Sequence, residues 1–141
     1  MKFLALAFVV SSALVACRTR VTSEPAGASL FQIEKLVPQR AWRAFDAGVE
    51  LGTVVLYVDP ATPDDPAKHY FSVRNAFQQE LGSLDGLGRA WKFSPHEREA
   101  KLVGTGTVQE GVRLILGASA ACALEETTLE ALRAEPRKAP N

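Results

Sequence analysis

Leu51-Gly52-Thr53-Val54-Val55-Leu56-Tyr57-Val58 decides the fold. Valine, threonine and tyrosine favour a pleated backbone, and the apolar side chains fall on both alternating faces. The stretch therefore reads as a central strand covered from both sides. Just before it, Trp42-Arg43-Ala44-Phe45 runs into Asp46-Ala47-Gly48, the turn chemistry of a hairpin. Just after it, residues 59–66 carry three prolines and three aspartates, a composition that a sheet interior excludes. These acids lack the ligand spacing and terminal glutamate of an EF-hand, which makes the segment a solvated connector.

Further along, residues 69–74 alternate, with Phe71 and Val73 on one face and Ser72 and Arg74 on the other, as in a half-exposed strand. Residues 75–79 turn, 80–85 return, Gly86-Leu87-Gly88 turns again, and 89–93 form another strand with Trp91 and Phe93 inward. The expected fold is α+β and mainly β: a small antiparallel meander or SH3-like partial barrel of about six or seven short strands, with one or two C-terminal helices.

Two hairpins echo each other. Residues 42–54 and 71–84 both read strand, Asp or Asn turn, Glu-Leu-Gly, strand, and the glycine after Glu-Leu marks a bulge or a close backbone approach. Over residues 41–94 this hairpin resembles those of PRC-barrel and SH3-like small barrels. The motif is too short to carry a site or a partner from either family.

After Pro95 the pattern becomes helical. Thr107 and Glu110 form a capping box, and Val108, Val112, Ile115 and Leu116 share one face of a short amphipathic helix. Gly104, Gly106 and Gly111 give GxGxxxxG, without the P-loop lysine and without dinucleotide spacing, so tight packing is the expected use of these glycines. A second helix is expected from residue 128 to about 135, with Thr127 and Glu130 as its capping box. Residues 29–135 then form one domain, with 29–94 its β part and 95–135 its helical part, and 136–141 a disordered tail. In residues 29–37, Leu30, Ile33, Leu36 and Val37 match helical spacing behind Ser29 while Phe31 and Ile33 fit an alternating strand; with the turn at Pro38 and β territory beyond, the strand is the preferred reading.

The N-terminus carries an address. Lys2 precedes an apolar run from Phe3 to Val10, small residues follow, and Arg18 and Arg20 close the run well short of the ~20 residues a spanning helix needs. Leu14-Val15-Ala16-Cys17 resembles a bacterial lipobox. The resemblance implies cleavage of residues 1–16, diacylglycerol on the Cys17 sulfur, and a lipid-tethered chain whose residues 17–28 act as a flexible stalk. Acyl chains contribute about 0.8 kcal/mol per buried methylene, so two or three hold a protein on a membrane stably. Arg18 in place of the aspartate that retains many enteric lipoproteins favours an outer membrane, facing the periplasm, if the cell is Gram-negative.

Charge bounds the partners. Sixteen basic residues balance sixteen acidic ones, and loss of Lys2 leaves the remainder one charge negative, so no basic excess points to nucleic acid. Once Cys17 is a thioether, Cys122 is the remaining thiol, in a small-residue run that reads as buried packing.

Candidate chemistry is sparse. His69 and His96 are the two histidines, with no cysteine or carboxylate cluster at metal-ligand spacing, and no cofactor is expected. His96-Glu97-Arg98-Glu99 fails HExxH because position 100 is Ala100, and the GxSxG elbow is absent. Arg74, Asn75, Asp85, Arg89 and His96 form a polar surface patch if the hairpins stack. The expectation is a lipid-anchored cell-envelope module that binds an envelope protein or peptidoglycan without catalysis. The alternative is a small hydrolase or transferase acting on envelope polymers with Asp85, His96 or Glu97 in a cleft.

Overall fold

The computed structural model describes residues 35–97 and 99–134. The chain runs β1 (Val37–Asp46), β2 (Val49–Val58), a 3-10 turn (Pro66–Lys68), β3 (Tyr70–Asn75), β4 (Glu80–Asp85), β5 (Arg89–Lys92), β6 (Lys101–Thr105), α1 (Val108–Leu116), β7 (Ala123–Thr127) and α2 (Leu129–Ala134). The seven strands form one open antiparallel sheet in the order β6-β5-β4-β3-β2-β1-β7. β1 to β5 follow the expected meander, β6 extends it by one strand that was not expected, and β7 adds to the outer side of β1. The architecture is α+β and mainly β, as the strand pattern implied.

Helix α1 packs across one face of the sheet. Val54, Leu56 and Val58 of β2, Phe71 and Val73 of β3, Leu84 of β4 and Ala90 of β5 meet Val112 and Ile115 of the helix in one buried cluster. Burying such side chains contributes about 1.5–3 kcal/mol each, and this layer holds the helix in place. Gly111 permits the close approach, because a Cβ there would overlap Leu84 and crowd Ala90. The capping box forms as expected: the Glu110 amide donates to Thr107 Oγ1 at 3.2 Å, and the Thr107 amide donates to Glu110 Oε2 at 2.9 Å. Gly117, with φ of 70°, ends the helix in the left-handed conformation.

The hairpin echo has a structural basis. In β1–β2 the register shifts between Ala44 and Phe45, which pair with Gly52 and Glu50 and leave Leu51 as the inserted residue. In β3–β4 it shifts between Val73 and Arg74, which pair with Gly82 and Glu80 and leave Leu81 inserted. Each Glu-Leu-Gly is thus a β-bulge with leucine as the extra residue. A Cβ on Gly52 would overlap the Arg74 carbonyl, and one on Gly82 would overlap the Trp91 carbonyl, so both glycines also serve close backbone approach.

Several expectations are corrected. Residues 95–135 are not simply helical: β6 and β7 lie among them, each five residues long and mixed in polarity, too short for alternation to reveal. Pro38 lies inside β1 beside a register shift, where a missing amide is tolerated, and does not end a strand. Thr127 is a β7 residue, and Thr128 caps α2 by accepting the Ala131 amide at 3.0 Å. β3 is not half-exposed, since Ser72 is 2 % exposed. Trp91 is buried, but on the face opposite α1. Cys17, residues 29–34 of the expected first strand and the tail 136–141 lie outside the described residues.

Candidate functional site

The second face of the sheet is polar and aromatic. Alternation sends Thr53, Val55 and Tyr57 of β2 away from α1, and the register sets Arg74, Ser72 and Tyr70 beside them on β3. On β4, Ser83 lies opposite Ser72 and Asp85 opposite Tyr70, while Trp91 of β5 lies opposite Ser83. The bulge at Leu81 turns Glu80 onto this same face, opposite Arg74.

Hydrogen bonds knit these groups together. Glu80 Oε1 accepts from the Tyr70 hydroxyl at 3.1 Å and from Ser72 Oγ at 2.9 Å. Arg74 Nε donates to Ser72 Oγ at 3.4 Å, and its Nη2 donates to the Tyr57 hydroxyl at 3.5 Å. Burial pushes the Tyr70 phenol well above its ordinary value, and the Glu80 charge adds to the rise. Thr53 and Ser83 are each 1 % exposed, and neither hydroxyl has a hydrogen-bond partner at good geometry. The Ser83 hydroxyl lies on the Tyr70 side and works against the rise of its phenol. Glu80 is exposed, and Tyr57 and Arg74 are half-buried, so the outer part of the layer meets solvent.

The expected patch is divided by the topology. Arg74 and Asn75 close β3 at one end, whereas Asp85 and Arg89 lie at the other end of the same strands, about 13 Å away by strand rise. Asn75 serves its own turn: Oδ1 accepts the amides of Phe77 and Gln79, each at 2.9 Å. Asp85 does the same in the next turn, accepting the amides of Leu87 at 3.1 Å and Arg89 at 2.9 Å, and it pairs with Arg89 Nε at 2.6 Å. The Arg89 guanidinium also covers the Trp91 ring, 5.3 Å from its centroid. His96 and Glu97 are exposed in the loop after β5, at the Arg74 end, and are not brought together with Asp85.

Cys122 is buried, and that burial raises its thiol above the ordinary value. A buried, predominantly neutral thiol is a packing group rather than an activated one. Among the described residues no group of three His, Cys, Asp or Glu side chains is placed to hold a metal ion. Among them, too, no helix is long and apolar enough to cross a membrane. Sequence reading missed Tyr57, Tyr70, Ser72 and Glu80 as one layer. Their alternation with Val54, Leu56, Phe71 and Val73 was the available signal, but only the strand register joins them. No family model, curated protein or solved structure matches the chain.

Proposed function

We propose that this protein is a lipid-anchored cell-envelope module that binds its target through the polar and aromatic sheet face and performs no catalysis itself. The anchor rests on Leu14-Val15-Ala16-Cys17, with the Cys17 thioether fixing the chain to the membrane. The observation that carries the binding reading is the Tyr57–Arg74–Ser72–Glu80–Tyr70 layer. It presents the exposed Glu80 carboxylate beside the half-buried Arg74 guanidinium and Tyr57 hydroxyl, held in place from beneath by the buried Ser72 and Tyr70. That combination matches the hydroxyl, amide and carboxylate groups of peptidoglycan, the envelope polymer nearest a tethered domain.

Two measurements test the reading. Metabolic labelling with a radioactive fatty acid marks the wild type and leaves Cys17→Ser unmarked and released from membranes; unchanged attachment of Cys17→Ser overturns the anchor. The purified protein co-sediments with isolated peptidoglycan, and Arg74→Ala and Glu80→Gln each weaken that association while keeping the native circular dichroism spectrum. Equal sedimentation of wild type and both variants, or none by the wild type, removes the sheet face as the binding surface.

A further inference from the structure

The two bulged hairpins use their glutamates differently. Aligned on the bulges, Glu50 of β2 corresponds to Glu80 of β4, Arg43 to Ser72, and Phe45 to Arg74. In the first hairpin the glutamate meets a cation directly, with Arg43 Nη1 3.5 Å from Glu50 Oε2. In the second, Arg74 and Glu80 are register partners of opposite charge, an arrangement in which side chains usually pair across a sheet. They form no ion pair.

Neutral hydroxyls hold the two charges apart. Glu80 is drawn back to Ser72 and Tyr70 through Oε1 alone, at 2.9 and 3.1 Å, so among the described residues nothing donates to Oε2. Arg74 reaches Ser72 Oγ through Nε and the Tyr57 hydroxyl through Nη2, at 3.4 and 3.5 Å, and among the described residues its Nη1 donates to nothing. A single hydroxyl oxygen, that of Ser72, thus bridges guanidinium and carboxylate. On the other side of Arg74 its register partner is Thr53, 1 % exposed, whose hydroxyl has no partner. The rings of Tyr57 and Tyr70, with centroids 6.2 Å apart, border the pair on one side.

We infer that the Arg74–Glu80 gap takes an α-amino-acid zwitterion, a group with ammonium and carboxylate on one carbon. The ammonium goes to Glu80 Oε2 and the carboxylate to Arg74 Nη1. A lone anion placed here is opposed by Glu80, and a lone cation by Arg74. A zwitterion whose nitrogen and carboxylate carbon lie about 2.5 Å apart satisfies both at once, and the gap it must bridge is already bridged by one hydroxyl oxygen. The inference rests on the peptidoglycan reading of this face and sharpens it. The part recognised is the free amino-acid end of the diamino acid in an uncrosslinked stem peptide, not the glycan strand.

The test titrates the full chain in detergent with meso-diaminopimelic acid, followed by NMR of the amides of residues 72–82. Saturable shifts with a Kd of roughly 1 mM are expected, since two charge-assisted contacts at a partly exposed site bind weakly. Pimelic acid, which keeps the carboxylates without the ammonium groups, and cadaverine, which keeps the ammonium groups without the carboxylates, should each bind at least about fivefold more weakly. Glu80→Gln and Arg74→Gln should each weaken diaminopimelic acid by a similar factor, whereas Glu50→Gln, at the equivalent bulge, should not. No saturable shift, equal binding of either control ligand, or a Glu80→Gln chain that binds as the wild type does overturns the inference. Co-sedimentation with peptidoglycan that persists when diaminopimelic acid fails to bind overturns the zwitterion site alone and leaves the polymer reading standing. Binding of diaminopimelic acid without co-sedimentation supports the site and removes the polymer as its target.

Discussion

The Asp46 carboxylate receives both the amide of Ser119, at 2.8 Å, and its hydroxyl, at 2.5 Å, across 73 residues of chain. This contact clamps the β1–β2 turn to the loop between α1 and β7, and so helps hold β7 beside β1. The two bonds from Ser119, the hydroxyl first, lower the Asp46 carboxyl below its ordinary value.

Because the folded value is depressed, the clamp's contribution is present above the unfolded carboxyl value near pH 4 and is lost as pH falls through the lowered folded value. Asp46→Asn is expected to unfold at lower urea than the wild type at about pH 6, with the gap closing toward about pH 2. Urea titrations at the two pH values measure it; a gap that does not change with pH shows that the carboxylate charge is not what Ser119 recognises.

The bulge glycines have little room to change. Gly52→Ala and Gly82→Ala force a Cβ onto the carbonyls of Arg74 and Trp91, and each should cost about 3 kcal/mol. Gly48→Ala meets no atom within contact range but must keep φ near 79°, so a cost of about 1 kcal/mol is expected. Guanidinium denaturation that ranks Gly48→Ala as the most damaging of the three contradicts the bulge geometry.

Helix α1 divides its hydrophobic residues sharply between core and edge. Ile115 is fully buried, and Ile115→Ala should cost about 2–5 kcal/mol in unfolding free energy. Leu114, one residue away and exposed, should lose about 0.5 kcal/mol on change to alanine. Comparable losses at the two positions would mean that the helix is rotated from the orientation described.

The Tyr70 hydroxyl lies 3.1 Å from the Glu80 carboxylate. Burial first and the Glu80 charge second raise the Tyr70 phenol, so its contribution to stability is fully present below the unfolded tyrosine value near pH 10 and declines as pH rises beyond it. Absorbance titration of Tyr57→Phe isolates Tyr70. Adding Glu80→Gln should bring ionisation to lower pH; no movement would mean that the carboxylate exerts no field at the phenol.

Much of the fold was legible because its causes are local. The Asp46-Ala47-Gly48 and Gly86-Leu87-Gly88 turns, the proline-rich connector and the Thr107–Glu110 box each act within a few residues, where chain chemistry alone sets the conformation. The Glu-Leu-Gly echo likewise announced its bulges. The β6 and β7 strands were not legible, since each is stabilised by a neighbour: β7 by β1, about 80 residues earlier, and β6 by β5 across a loop. The candidate site was legible only in part. Arg74 belongs to the polar layer, but Asn75 and Asp85 proved to be turn-closing residues whose carbonyl or carboxyl oxygens are occupied by backbone amides.

The sequence by itself determined the mainly β class, the central position of residues 51–58, the cap of α1 and the lipobox pattern, because periodicity, turn chemistry and short motifs are properties of contiguous residues. Only the tertiary structure decided which polar residues share a face and which strands, β6 and β7, end the sheet among the described residues. Both follow from strand pairing, in which a register shift of one residue sends every side chain to the other side of the sheet, and the bulges at Leu51 and Leu81 make such shifts twice.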